Sequence, residues 1–161
     1  DRMRAGMLLC FGIMGISLLA GCARKSAPAA KIDVMQNAYS SEADWNNPDR
    51  IIPLNYEQAQ GKRVFYEQCV WCHADQTPAG PSNRSNVTPA PPLWNDGVTL
   101  NSLSDVFLEK FTAQGGSAMG KSAMMPPYGN TLTPVEIRAL IAYARAIAVP
   151  PYGAASQAGQ K

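Results

Sequence analysis

Gln68-Cys69-Val70-Trp71-Cys72-His73-Ala74 gathers two of the chain's four cysteines and its single histidine into five positions. Two thiols three apart, followed at once by an imidazole, form the C-x-x-C-H spacing used for covalent haem attachment. The same residues also suit a redox dithiol or part of a zinc site. The rest of the chain has to choose among the three.

The chain has 161 residues, of which 46% are apolar and 16% charged. That is enough for one domain with a buried core, and the composition is not that of a disordered protein. The net charge is only +2, and no Lys/Arg cluster marks a nucleic-acid surface. Arg2 and Arg4 precede an apolar run, Met7 to Leu19, which is short for a bilayer span. Leu19-Ala20-Gly21-Cys22 follows and resembles the lipobox of bacterial lipoproteins. Residues 1–21 therefore read as a lipoprotein-type signal peptide, with Cys22 acylated and anchored to a membrane facing the periplasm. The other reading is an ordinary secretory signal with a chance cysteine. With Cys10 removed and Cys22 blocked, the mature chain keeps one cysteine pair.

Residues 22–54 read as a tether without apolar periodicity, with a root-mean-square reach of roughly 30 Å. The domain is expected over 55–149. Its first helix should run from about Tyr56 to Ala74 with Asn55 as N-cap and the C-x-x-C-H motif on the last turn. Gly61 inside it costs about 1 kcal/mol against Ala unless close packing needs it. Residues 75–100, with five prolines, read as a long irregular loop that a buried cofactor would organise. A second helix is expected over about Ser104–Ala113, with Val106, Phe107, Lys110 and Phe111 near the core and Gly115-Gly116 ending it. Thr133 and Glu136 form a capping box around Pro134 for the last helix. Ile137, Leu140, Ile141 and Ala144 repeat there at helical spacing, and Pro150-Pro151 stop it. The tail, 150–161, reads as disordered, and no strand stands out.

Zinc fails on ligand number, since a structural site needs four Cys or His ligands. A thioredoxin-like dithiol would follow a strand in a βαβ pattern, and it would not need His73. Haem meets each constraint: two thiols one helical turn apart for the vinyl groups, and His73 beside them for the iron. With a single histidine, one c-type haem is the maximum. The sixth ligand must then be a methionine, a weaker donor or water.

Gly61 to His73, together with Met125-Pro126-Pro127-Tyr128-Gly129 and the helix that follows to Arg145, resembles the class I c-type cytochromes over roughly residues 55–148. The resemblance implies an all-α fold of three main helices and long loops around one haem c. It implies Cys69 and Cys72 as thioether carriers, His73 as proximal ligand and Met125 as axial ligand. Met119 and Met124 then read as loop or core fillers. Gly61 and Phe65 match the positions that meet an aromatic of the last helix, here Tyr143. Pro91-Pro92-Leu93 is similar to the family's Pro-x-Leu, which puts the Pro91 carbonyl on the His73 ring N–H, with Gly80-Pro81 as a competing candidate. Trp94 and Tyr128, like Trp71, read as haem-pocket packing; Lys62 and Arg63 read as a solvated helix face. The implied function is single-electron transfer without bond chemistry and without a small-molecule substrate. The partners would be redox proteins or subunits of a respiratory or photosynthetic complex, such as the lipid-anchored monohaem subunits of alternative complex III or the cytochrome modules of haem–copper oxidases. A peroxidase-like enzyme or a gas-binding sensor, each needing an open sixth site, is the rival.

Overall fold

The computed structural model describes residues 40–153. Residues 1–39, which include the expected signal peptide and Cys22, and residues 154–161 lie outside the described residues. In chain order the elements are β1 (Ser41–Asp44), β2 (Asn47–Pro53), α1 (Tyr56–Gln68), α2 (Val70–His73), β3 (Gln76–Thr77), β4 (Gly80–Pro81), a 3-10 turn (Arg84–Asn86), α3 (Gly97–Leu100), α4 (Asp105–Ala118) and α5 (Pro134–Ile147). Three helices of 13 or 14 residues dominate and start where the sequence pattern expects, but the first ends at Gln68 rather than Ala74, and the C-x-x-C-H motif falls on a separate turn. Among the described residues no helix is long and apolar enough to cross a membrane.

The centre of the molecule is the crossing of α1 and α5. Asn55 starts α1 as expected: its side chain accepts from the Gln58 amide, and Gln58 Oε1 accepts from the Asn55 amide, both at 2.9 Å. Thr133 and Glu136 start α5 in the same reciprocal way, with Pro134 in the first turn. Gly61 sits where the backbones meet. A Cβ there would collide with the Ala139 carbonyl and come within 2.8 Å of Tyr143 Cβ. The tolerated cost of a helical glycine thus permits a close approach that no larger residue allows. Val64, Phe65, Leu140 and Tyr143 are the largest fully buried side chains, and the Phe65 and Tyr143 rings lie 5.6 Å apart. Each such aromatic or aliphatic side chain contributes about 1.5–3 kcal/mol by leaving water.

The tether expectation does not hold for its last third. Residues 41–53 form an antiparallel hairpin, with Ser41 paired to Pro53 and Glu42 to Ile52. Its inward side chains are acidic, which hid it from a reading based on apolar alternation. Glu42 is only 5% exposed. Its carboxylate accepts from Tyr143 Oη at 2.9 Å, Tyr66 Oη at 3.2 Å and Trp45 Nε1 at 3.3 Å, and it pairs with Lys62 Nζ at 3.0 Å. Lys62 also donates to the Ser41 carbonyl at 2.6 Å, so it is a clamp rather than part of a solvated face. Arg63 pairs with Glu67 and Glu136 on the outer side.

The region 75–100 is also more ordered by the chain itself than expected. Arg84 donates to the Pro91 carbonyl at 2.8 Å and to Asp75 at 3.0 Å, and Asn83 N donates to the Trp71 carbonyl at 2.8 Å. At the other end, residues 150–153 are placed, contrary to the disordered-tail expectation. The Pro150 carbonyl accepts from Asn101 Nδ2 at 2.9 Å, and Tyr152 lies under the Arg145 guanidinium, 4.2 Å from ring centroid to Cζ. The folded unit therefore exceeds 55–149 on both sides.

Helix α4 corrects a further expectation. Val106 is exposed and so is Lys110, whereas Leu108, Thr112, Gly115 and Gly116 form the buried face. Gly115 has φ 77° and ψ 170°, so the regular helix breaks there before a last turn to Ala118.

Candidate cofactor site

Cys69 caps the end of α1, and the chain turns there (φ −120°, ψ −30°) into the single turn of α2. The His73 amide donates back to the Cys69 carbonyl at 3.0 Å, and the Cys72 amide to the same oxygen at 3.1 Å. This turn brings both thiols and the imidazole to one place. Cys69 is buried, Cys72 partly so, and neither is in a disulfide. Burial, reinforced by neighbouring Cys72, pushes the Cys69 thiol up to about 12, so it is protonated at neutral pH.

His73 is fixed by its ring nitrogen Nδ1, 2.9 Å from the Pro92 carbonyl oxygen. A carbonyl only accepts, so Nδ1 carries the proton and Nε2 keeps its lone pair. Burial lowers the imidazole's proton affinity; the Pro92 bond opposes this, and the charge of Arg84 adds to the lowering. The neutral form, the one that can ligate a metal, is favoured. The carbonyl that does this belongs to Pro92 and not to the expected Pro91. Pro91 O instead receives Arg84 Nε. Successive carbonyls of an extended chain point to different sides, so one faces the histidine and the other the arginine.

Trp94 is 6% exposed and is bound to the same histidine twice. Its amide donates to the His73 carbonyl at 2.8 Å, and its ring stands edge-to-face on the imidazole at 5.3 Å and 78°. Phe65 packs on it at 5.5 Å. Trp71, by contrast, is 53% exposed and contributes no buried packing.

Met125 lies on a loop fastened to the break in α4. Its carbonyl accepts from the Gly116 amide at 2.9 Å. A Cβ at Gly115 would stand 2.7–2.9 Å from the backbone of Met125, Pro126 and Pro127, and one at Gly116 would collide with the Ser122 carbonyl. The glycine pair, expected only to stop a helix, lets this loop lie against α4. That role was missed, although a Gly-Gly pair ten residues before a Met-Pro was the available signal. Met125 is partly buried, whereas Met124 is 61% exposed. Tyr128 connects the loop to the cysteine motif. Its backbone amide donates to the Thr112 carbonyl at 3.0 Å, and its hydroxyl to the Gln68 carbonyl at 3.0 Å. Burial, then the charges of Cys69 and Cys72, raise the tyrosine's pKa, which reflects its nearness to both thiols.

These residues fit a covalently held haem. Two free thiols one turn apart stand beside a neutral imidazole whose Nε2 has no hydrogen-bond partner among the described residues. Buried next to it is an indole N–H, Trp94 Nε1, with no hydrogen-bond partner among the described residues. Thiol pair, imidazole and apolar wall together define a c-type cytochrome. The family model for cytochrome c oxidase, cbb3-type, subunit III matches residues 57–143, more than half of the chain, and the chain belongs to that family. Membership carries haem-based electron transfer and haem c as the covalent cofactor. No curated protein and no solved structure matches the chain.

Proposed function

We propose that this chain is a monohaem class I cytochrome c that passes single electrons at a bacterial membrane. It serves as a subunit of a respiratory or photosynthetic complex, or as donor or acceptor to one. Cys69 and Cys72 carry the two thioethers, His73 and Met125 are the axial ligands, and Cys22 carries the lipid that holds the domain on the periplasmic face. The observation that carries this reading is His73 itself: its Nδ1–H is committed to Pro92, and its other nitrogen is left for iron.

The bound haem supplies a one-electron Fe(III)/Fe(II) couple. The Pro92 carbonyl orients the imidazole and raises its basicity. Trp94 and Phe65 form the dry wall behind it. The Gly116 amide and the Tyr128 hydroxyl hold the Met125 loop against α4 and the end of α1, which suits a ligand that stays in place in both oxidation states. A thioether paired with an imidazole gives a higher reduction potential than more basic ligand pairs.

Acid–acetone treatment is expected to leave the haem on the polypeptide, and a potentiometric titration to follow a single reversible one-electron step. Release of the haem would sink the thioether assignment. Ready carbon monoxide binding by the reduced protein would mean an open sixth site and would favour a haem enzyme or sensor.

A further inference from the structure

We propose that the cleft between the β1–β2 hairpin and the residues flanking His73 and Trp94 takes a tyrosine side chain of a partner protein. The partner rests on the proposed role as a subunit of, or a donor or acceptor to, a larger complex; the cleft itself does not. Its volume is about 490 Å³, in the range of sites that hold a compact organic group. Trp45 of the hairpin turn, Tyr66 of α1, and Ala74 and Leu93, the chain neighbours of His73 and Trp94, line it. The hairpin residues among its walls precede residue 57, where the family match begins, so part of the cleft lies outside the family-matched segment.

Asn95 gives the cleft its chemistry. It lines the cleft and is only 6% exposed. Its backbone carbonyl accepts from the Val149 amide at 2.9 Å, but no hydrogen bond reaches its carboxamide among the described residues. Among those residues Trp94 Nε1 is the side-chain atom that is both sealed off and unpaired. The Asn95 carboxamide is therefore not sealed off, and the cleft is the space it meets. Buried polar groups are nearly always paired, so this amide calls for an occupant with a polar end. The charged groups exclude most occupants. Glu42 already accepts from Tyr143, Tyr66 and Trp45 and pairs with Lys62, and Asp75 pairs with Arg84 at 3.0 Å. A cation finds no unpaired carboxylate there, and both cations are engaged. The occupant is thus neutral, with an apolar body for the Trp45 and Tyr66 rings and a polar tip for Asn95. Tyrosine, tryptophan and arginine are the usual anchors of an interface, and arginine fails by its charge. An indole N–H only donates, whereas a phenol hydroxyl donates and accepts, as a carboxamide does. Tyrosine matches both halves of Asn95, and its apolar ring with a polar tip suits a half-buried contact.

The test titrates the reduced holoprotein, 15N-labelled at asparagine and tryptophan, with p-cresol, the side-chain analogue of tyrosine. Toluene, indole and methylguanidinium are titrated in parallel. p-Cresol is expected to move the Asn95 carboxamide and Trp45 indole resonances saturably and to bind about tenfold more tightly than toluene, which lacks the hydroxyl. In Asn95→Leu that preference should vanish while the visible spectrum stays unchanged. Equal binding of p-cresol and toluene, or a preference for indole or methylguanidinium, overturns the tyrosine site. The partner is read separately, with Asn46→p-benzoylphenylalanine on the exposed rim of the cleft in the full chain on bacterial membranes. Light should join it to a peptide of another protein that carries a tyrosine beside the attachment point, and the yield should fall when Asn95→Leu is added. No crosslink, or one only to a second copy of this chain, overturns the partner. Should Asn95→Leu fail to fold, the wild type's preference among the four probes decides. Haem lost to acid–acetone would overturn the attachment and leave the cleft result standing.

Discussion

At the scale of single residues, Met125 is where the proposed function is most exposed to test. Its loop is held by backbone bonds to Gly116 and, through Tyr128, to Thr112 and Gln68, so changing its side chain leaves those anchors in place. Met125→Ala is expected to abolish the weak red absorption band of a thioether on ferric iron and to lower the reduction potential. Met124→Ala should change neither, because Met124 points largely into solvent. A band lost in Met124→Ala and kept in Met125→Ala would move the ligand by one position. Glu136 supports a second residue-scale prediction. Hydrogen bonds from the Thr133 amide and hydroxyl, then the charge of Arg63, hold its carboxyl below the usual range. A depressed folded-state pKa means that this stabilisation is present above the unfolded value, about 4.3, and is lost as pH falls through the folded one. The stability gap between wild type and Glu136→Ala, read by urea denaturation at several pH values, should therefore narrow below about pH 4.

At the scale of elements, the β1–β2 hairpin is tied to the helices through one buried carboxylate. Glu42→Ala would leave Lys62 without that partner and remove the acceptor of Tyr143, Tyr66 and Trp45. Breaking a buried pair from one side typically costs about 3–5 kcal/mol. The expected result is a loss of stability of that order by chemical denaturation, with faster proteolysis at 41–53. A variant as stable as wild type would return these residues to the tether. The element also explains why α1 carries a lysine at 62, which looks like a surface residue when α1 is read by itself.

At the scale of the whole molecule, anchoring and electron transfer are separable. The proposed lipid sits on Cys22, whereas the thiols, the imidazole and the methionine loop all belong to residues 69–128. Mass spectrometry of the N-terminal peptide from bacterial membranes is expected to find Cys22 as the first residue, S-diacylglyceryl-modified with or without an N-acyl chain. Cys22→Ser should release the protein from membranes with its visible spectrum unchanged. An unmodified Cys22 preceded by an intact Met7–Leu19 segment would replace the lipid with a hydrophobic anchor.

The C-x-x-C-H turn, the caps at Asn55 and Thr133 and the apolar stripe of α5 were readable from the sequence because each depends on neighbours within a turn or two of chain. Even the Gly61 crossing was legible, since a helix tolerates a glycine at such a position chiefly where another backbone comes close. Three features were decided only by the tertiary structure. Glu42 is buried because Tyr143, 101 residues away along the chain, meets it, and no local pattern marks a carboxylate as an inward residue. Pro92 rather than Pro91 faces His73 because Arg84 takes the other carbonyl, a choice between adjacent identical residues that only their partners can make. The Gly115-Gly116 break receives the Met125 loop because packing, not propensity, determines what lies against a helix end. Local chemistry is written in the order of residues; burial of charge and choice of partner arise only when distant segments meet.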